Sequence, residues 1–259
     1  SGVLTVMIGK SVRLAPLLLS EEKEYLCLIR LHGEPDKSRV DAAFEEFTGR
    51  IYQRPPRKSA VARNLRIRMI HEIDLLDSDD RLLLIRIRCD AGTYIRSLCH
   101  HIGLALGTGA HMVELRRTRS GQFDENQACT LQGLADAASE ARIGNSGILQ
   151  SLIQSPEKAL ASLPKVTIRD TAVDAICHGA VLARPGMSSY DEFGKGVTVV
   201  LTTSHGELVA LGRTLVSSKD AGNLKNGLIV SPSTVFMEPG TYARGWKKAG
   251  CSPGDPLYP

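Results

Sequence analysis

Arg86–Gly103, Arg-Ile-Arg-Cys-Asp-Ala-Gly-Thr-Tyr-Ile-Arg-Ser-Leu-Cys-His-His-Ile-Gly, constrains this chain more than any other stretch. It reads as a strand, a glycine turn at Gly92-Thr93, and a helix with Arg96 in its first turns. A junction of this kind presents one fixed cation at the floor of a cleft. Such a cation can hold a carboxylate in its ionised form. The plainer alternative is a surface arginine on an amphipathic helix.

The charge distribution favours a polyanionic partner. Net charge is only +4, with a pI of about 8.7, which taken alone decides little. The seven basic residues Arg50, Arg54, Arg57, Lys58, Arg63, Arg66 and Arg68, however, span residues 50–68 without one acid. Arg116, Arg117 and Arg119 form a second cluster. Arginine dominates both, as forked contacts to phosphates or bases require; a solvated charged face is the alternative. The six cysteines are dispersed with no CxxC pair, which speaks against a disulfide framework or a cysteine-only zinc site and fits a reducing compartment. His100, His101 and His111 near Cys89 and Cys99 match no ordinary zinc spacing, and core or capping roles are expected for them. No apolar run reaches membrane-spanning length, and the start shows no signal-peptide layout.

Residues 23–33 read as a strand ending at a glycine turn. Asp36 caps a helix running to Phe47, and Pro55-Pro56 forces extended backbone. Strands are expected over Leu65–Leu76 and Leu82–Cys89, around the polar turn Asp77–Asp80. Helices are expected over Tyr94–Leu106, Thr130–Ala137 and Gly147–Leu163. Val3, Leu4, Val6 and Ile8 read as a strand or buried segment, and the chain is expected to be part of a longer protein. From Lys165 onward short β-rich runs punctuated by glycine suggest a small barrel, with Ser204-His205-Gly206 turning a hairpin. The boundary is placed near Leu163-Pro164, and residues 247–259 read as a loose tail.

Several motifs carry a family resemblance. Gly92-Thr93-Tyr94-Ile95-Arg96-Ser97-Leu98 resembles a signature of the TruB/dyskerin pseudouridine synthases. Lys23-Glu24-Tyr25 before an alternating strand is similar to a second motif, and Gln53-Arg54-Pro55-Pro56-Arg57-Lys58-Ser59-Ala60-Val61 to a third. Leu115-Arg116-Arg117-Thr118-Arg119-Ser120-Gly121 resembles a fourth. Arg169–Gly186 and Gly206–Gly212 look like parts of a PUA domain, a small RNA-binding module. The similarity is closest to the archaeal and eukaryotic branch, the catalytic subunits of box H/ACA ribonucleoproteins.

The resemblance implies an α+β fold: a mixed-sheet catalytic domain over residues 1–163, then a small β-barrel-like PUA domain over residues 164–246. It implies isomerisation of uridine to pseudouridine in RNA, on a base flipped into a cleft, with neither metal nor organic cofactor. Arg96 would pair with a nucleophilic aspartate, Tyr25 would pack on the target nucleotide, and Leu115 would line its pocket. The aspartate is implied to lie before Ser1, so the polypeptide alone is expected to be inactive. RNA contacts are implied for Arg54, Arg57, Lys58, Arg63, Arg116, Arg117 and Arg119. In the second domain they are implied for His178, Gly179, Ala180, Leu182, Pro185 and Gly186, with Gly179 and Gly186 allowing RNA close to the backbone. Implied partners are guide RNA, substrate RNA, Nop-type and Gar-type proteins and a kink-turn-binding protein. The implied location is cytoplasmic in an archaeon and nucleolar in a eukaryote. A non-catalytic RNA-binding scaffold and a stand-alone transfer-RNA enzyme are the alternative readings.

Overall fold

The computed structural model describes residues 1–56 and 62–243. They form two compact units: one comprises Ser1–Ile8 and Leu14–Ile153, the other Gly9–Arg13 and residues from Gln154 onward. The chain therefore leaves the first unit after Ile8, contributes five residues to the second, and returns at Leu14. Residues 154–163, expected to close the first domain, group with the second unit.

The first unit opens with a short helix, α1 (Ala15–Ser20), started by Pro16. Strand β1 (Lys23–Leu31) alternates strictly at its far end, where Cys27, Ile29 and Leu31 are almost completely buried. Asp36 caps α2 (Lys37–Phe47) by accepting from the Ser38 amide. Strands β2 (Gly49–Gln53), β3 (Arg66–Asp79) and β4 (Leu82–Cys89) follow, then α3 (Ile95–Ala105), β5 (Ala110–Ser120) and β6 (Phe123–Asp124). The six strands lie in the order β2-β3-β4-β1-β5-β6, and their ladders are antiparallel. A parallel bridge, Gly2 to Arg117, makes the sheet mixed at its β5 margin. Only glycine fits there: φ is +103° and a Cβ would meet the Arg117 carbonyl oxygen at 2.2 Å.

One face of this sheet packs on α2 and α3 through Val40, Phe44, Ile85, Ile87, Leu98 and Ile102. The opposite face is laced with ion pairs, among them Arg86–Asp74 at 2.8 Å and Arg88–Glu72 at 3.4 Å. The expected N-terminal strand is not formed. Val3 is buried, but Leu4, Val6 and Ile8 are 73%, 73% and 66% exposed. The backbone bonds to Arg117 end at Val3, so the segment parts from the sheet just where the apolar residues begin. Helices α4 (Leu131–Arg142, capped by Thr130), α5 (Gly147–Leu152) and α6 (Pro156–Ala159) follow. The single helix expected over residues 147–163 breaks because Pro156 lacks an amide hydrogen and can only begin a new helix.

The second unit has its own core of Val166, Ile168, Ile176, Leu201, Val209 and Ile229, among others. It contains β7 (Lys165–Ile168), α7 (Asp170–Cys177), β8 (Leu182–Ala183), β9 (Met187–Tyr190), β10 (Thr198–Thr202), β11 (Leu208–Thr214), α8 (Ser218–Asn223) and β12 (Leu228–Val235). The strand order is β8-β12-β11-β10-β7-β9, with β7 and β10 parallel. The Ser204-His205-Gly206 turn closes the β10–β11 hairpin, with Gly206 at φ +83°. In the five-residue excursion, Lys10 Nζ donates to the Phe236 carbonyl at 2.9 Å, and Arg13 donates to that of Val235. The expected tail, residues 247–259, lies outside the described residues.

Candidate active site

Arg96 owes its position to the turn between β4 and α3. Gly92 adopts φ +75°, and Thr93 Oγ1 donates to the Asp90 carbonyl at 2.7 Å. Tyr94 then caps α3, so Arg96 is an exposed residue of the first helical turn. A helix N-terminus carries positive potential and favours acids, yet the first turn of α3 contains none. A cation added there breaks the local rule and concentrates positive potential at one point, as expected where an anion is to be held.

Arg96 lines an open cavity of about 460 Å³ with Tyr52, Arg54, Leu65, Ser97, His100 and His101. The structure thus brings together Arg96 and Arg54 of the expected site. His100 and His101 are exposed cavity residues and have no core or capping role; His111 is also exposed and bonds to His32 at 2.9 Å. One signal could have found two of these neighbours. Residues four apart share a helix face, which places His100 with Arg96 and His101 with Ser97. Tyr52 and Leu65 gave no such signal, being brought in by β2 and the approach to β3.

Tyr25 and Leu115 do not line that cavity. Tyr25 stands opposite Ile87 on one side and Arg117 on the other, and Leu115 stands opposite Cys27. Both pack on the core side of the sheet. Burial raises the Tyr25 phenol above its ordinary value, partly opposed by the positive charge of Arg117. Cys27 Sγ lies 3.5 Å from Cys99 Sγ, and that contact together with burial pushes the Cys99 thiol up, which keeps it un-ionised.

The second arginine cluster lies on β5, with a register shift between Arg117 and Arg119 in its pairing with β1. Arg117 Nε donates to the Val3 carbonyl at 2.7 Å, a scaffold role. Arg116 pairs with Glu125 at 2.5 Å and Arg119 with Glu24 at 3.7 Å. Arg63 Nε donates to the Pro55 carbonyl at 3.2 Å. Arg57 and Lys58 lie outside the described residues.

In the second unit His178, Gly179, Ala180 and Pro185 are exposed. Gly179 has φ +86° and open space beside its Cα, so a ligand can approach its backbone. One expected contact is corrected: Leu182 is 1% exposed and belongs to the core. Gly186 is half-buried, and a Cβ there would lie 3.0 Å from Leu182 Cδ1 and 3.1 Å from Ala172 Cβ.

Residues 1–95 match the TruB family pseudouridylate synthase (N terminal domain). Residues 96–161 match the tRNA pseudouridylate synthase B C-terminal domain, and residues 164–236 the PUA domain. A probable tRNA pseudouridine synthase B of Methanocaldococcus jannaschii is 46% identical over 250 residues, 96% of this chain and 74% of that protein. The chain belongs to the TruB family of pseudouridylate synthases. Its counterpart from Methanothermobacter thermautotrophicus is 47% identical over 95% of this chain and 77% of that protein. Among solved structures, a Cbf5-Nop10-Gar1 complex matches with TM-score 0.85 and 44% identity over 92% of this chain and 73% of that one. An H/ACA RNP bound to a substrate RNA containing 2'-deoxyuridine matches with the same TM-score and 40% identity, over the same shares. As a pseudouridine synthase the chain is an RNA isomerase of α+β fold carrying a PUA domain. Among the described residues, no helix is long and apolar enough to cross a membrane, and no cluster of His, Cys, Asp or Glu could hold a metal.

Proposed function

We propose that this TruB-family chain is the catalytic subunit of a guide-RNA-directed pseudouridine synthase of the box H/ACA type, acting on ribosomal RNA in the cytoplasm. The observation that carries the reading is the cavity in which Arg96, on a positive helix terminus, sits with Arg54. In this reading Arg96 holds the nucleophilic aspartate ionised, Tyr25 packs on the flipped uridine and Leu115 shapes its pocket. The aspartate attacks the nucleoside, the C–N glycosidic bond breaks, and the uracil rotates and rejoins through carbon. Arg54, Arg57, Lys58, Arg63, Arg116 and Arg119 contact RNA backbone. The rim formed by His178, Gly179, Ala180 and Pro185 in the PUA domain, residues 164–246, holds guide RNA. The likeness to the H/ACA and Cbf5-Nop10-Gar1 structures supports Nop-type and Gar-type proteins as partners, with a kink-turn-binding protein completing the particle.

No carboxylate lines the Arg96 cavity among the described residues. The names of the archaeal relatives favour a second reading, a stand-alone transfer-RNA enzyme. A pseudouridine assay on the native protein, with ribosomal and transfer RNA, with and without guide RNA and partners, separates the two. Product that requires the guide supports the particle. Guide-independent product on transfer RNA supports the second reading. RNA binding without product in any arm overturns both and leaves a scaffold.

A further inference from the structure

The buried side chain of Gln53 is not explained by the roles assigned above. Gln53 ends β2 and is 2% exposed. Its amide grips one residue at two points: Oε1 accepts from the Tyr94 amide at 2.9 Å, and Nε2 donates to the Tyr94 carbonyl at 3.2 Å. Tyr94 is the N-cap of α3. A carboxamide offers an acceptor and a donor side by side whatever the pH, as a neighbouring strand would. The clamp joins residues 41 apart in sequence. Its two ends lie next to the two cavity arginines: Arg54 follows Gln53 directly, and Arg96 is two residues beyond Tyr94.

We infer that Gln53 is a positioning residue that fixes Arg96 against Arg54 across the cavity. It touches neither substrate nor nucleophile; it sets where the helix that carries the catalytic cation begins. The inference rests on the reading of Arg96 as the partner of the nucleophile.

The test uses the native protein with its RNA and partners, well below the melting temperature of each variant. It compares the single-turnover rate of pseudouridine formation with RNA affinity. Gln53→Ala is expected to slow turnover by about 10- to 100-fold, the scale of a misplacement near 1 Å, with affinity changed less than about threefold. Gln53→Glu keeps the acceptor but turns a carboxylate oxygen toward the Tyr94 carbonyl. Its rate is expected to fall comparably near neutral pH and to recover as pH is lowered, because the protonated carboxyl regains a donor. A wild-type rate in Gln53→Ala, or a rate loss matched by an equal loss of affinity, overturns the inference. If Gln53→Ala does not fold, the Gln53→Glu profile decides: one parallel to wild type overturns it. Arg96→Ala separates the two levels. Full activity in that variant brings down the reading of Arg96 and the inference with it, whereas an inactive Arg96→Ala beside a fully active Gln53→Ala brings down the inference alone.

Discussion

Arg96 is a cation where the helix field asks for an anion, so its cost is local and its use lies elsewhere. Arg96→Ala is expected to slow the single turnover by about 100- to 1000-fold, the effect of removing one preorganised electrostatic partner. RNA affinity should move little, and Arg96→Lys should not restore the rate because a point ammonium cannot fork to a carboxylate. Glu21 shows the reverse economy. Burial raises its carboxyl above the ordinary value, with Lys23 opposing, and its Oε2 is buried without a hydrogen bond. The folded state then holds the Glu21 proton more tightly than the unfolded chain does. The stability it contributes is full below the unfolded value of 4.5 and is lost as pH rises through the folded value. Glu21→Gln, which cannot ionise, should melt higher than wild type at about pH 7 and alike at about pH 3.5. The gain should stay below about 1 kcal/mol, because the group is partly solvated.

At the scale of elements, α3 meets β5 with no room to spare at Gly103. A Cβ there would fall 2.3 Å from the Ala110 nitrogen and 2.4 Å from the Ala110 Cβ. Helix propensity favours Gly→Ala by up to about 1 kcal/mol. Overpacking against backbone costs about 1–3 kcal/mol and cannot be relieved by a rotamer. Gly103→Ala is therefore expected to lower stability by about 1–2 kcal/mol net, read as a shift in denaturant midpoint at unchanged slope. Elements such as β1, α2, β4 and α3 were legible in the sequence because each carries its own period, to which α2 adds its Asp36 cap and α3 the Gly92 turn before it. What was not legible depended on partners far along the chain. The arginines of β5 take their faces from a strand pairing that the local run does not encode. Leu4, Val6 and Ile8 look like a strand until the bonds to Arg117 stop at Val3. Gln53 announces a motif, but its meaning rests on Tyr94.

At the scale of the molecule, the positive charge available to RNA is smaller than the arginine count suggests. Arg86, Arg88, Arg116 and Arg119 are paired with acids, whereas Arg54 lies exposed at the cavity. Arg54→Ala is expected to weaken RNA binding about equally for all sequences and to reduce the slope of log affinity against log salt by about 1. Arg116→Ala, with Glu125 competing for the guanidinium, should change that slope less. Affinity titrations between low and high salt read both effects. The five-residue visit of Gly9–Arg13 to the second unit has a consequence in time. Lys10 bonds a carbonyl 226 residues downstream, and Arg13 one 222 residues downstream. At roughly 5–20 residues per second, a ribosome delivers those acceptors about 10–45 s after the segment itself. During that interval these early residues have no native place to dock, and the last strand of the second unit releases them from waiting.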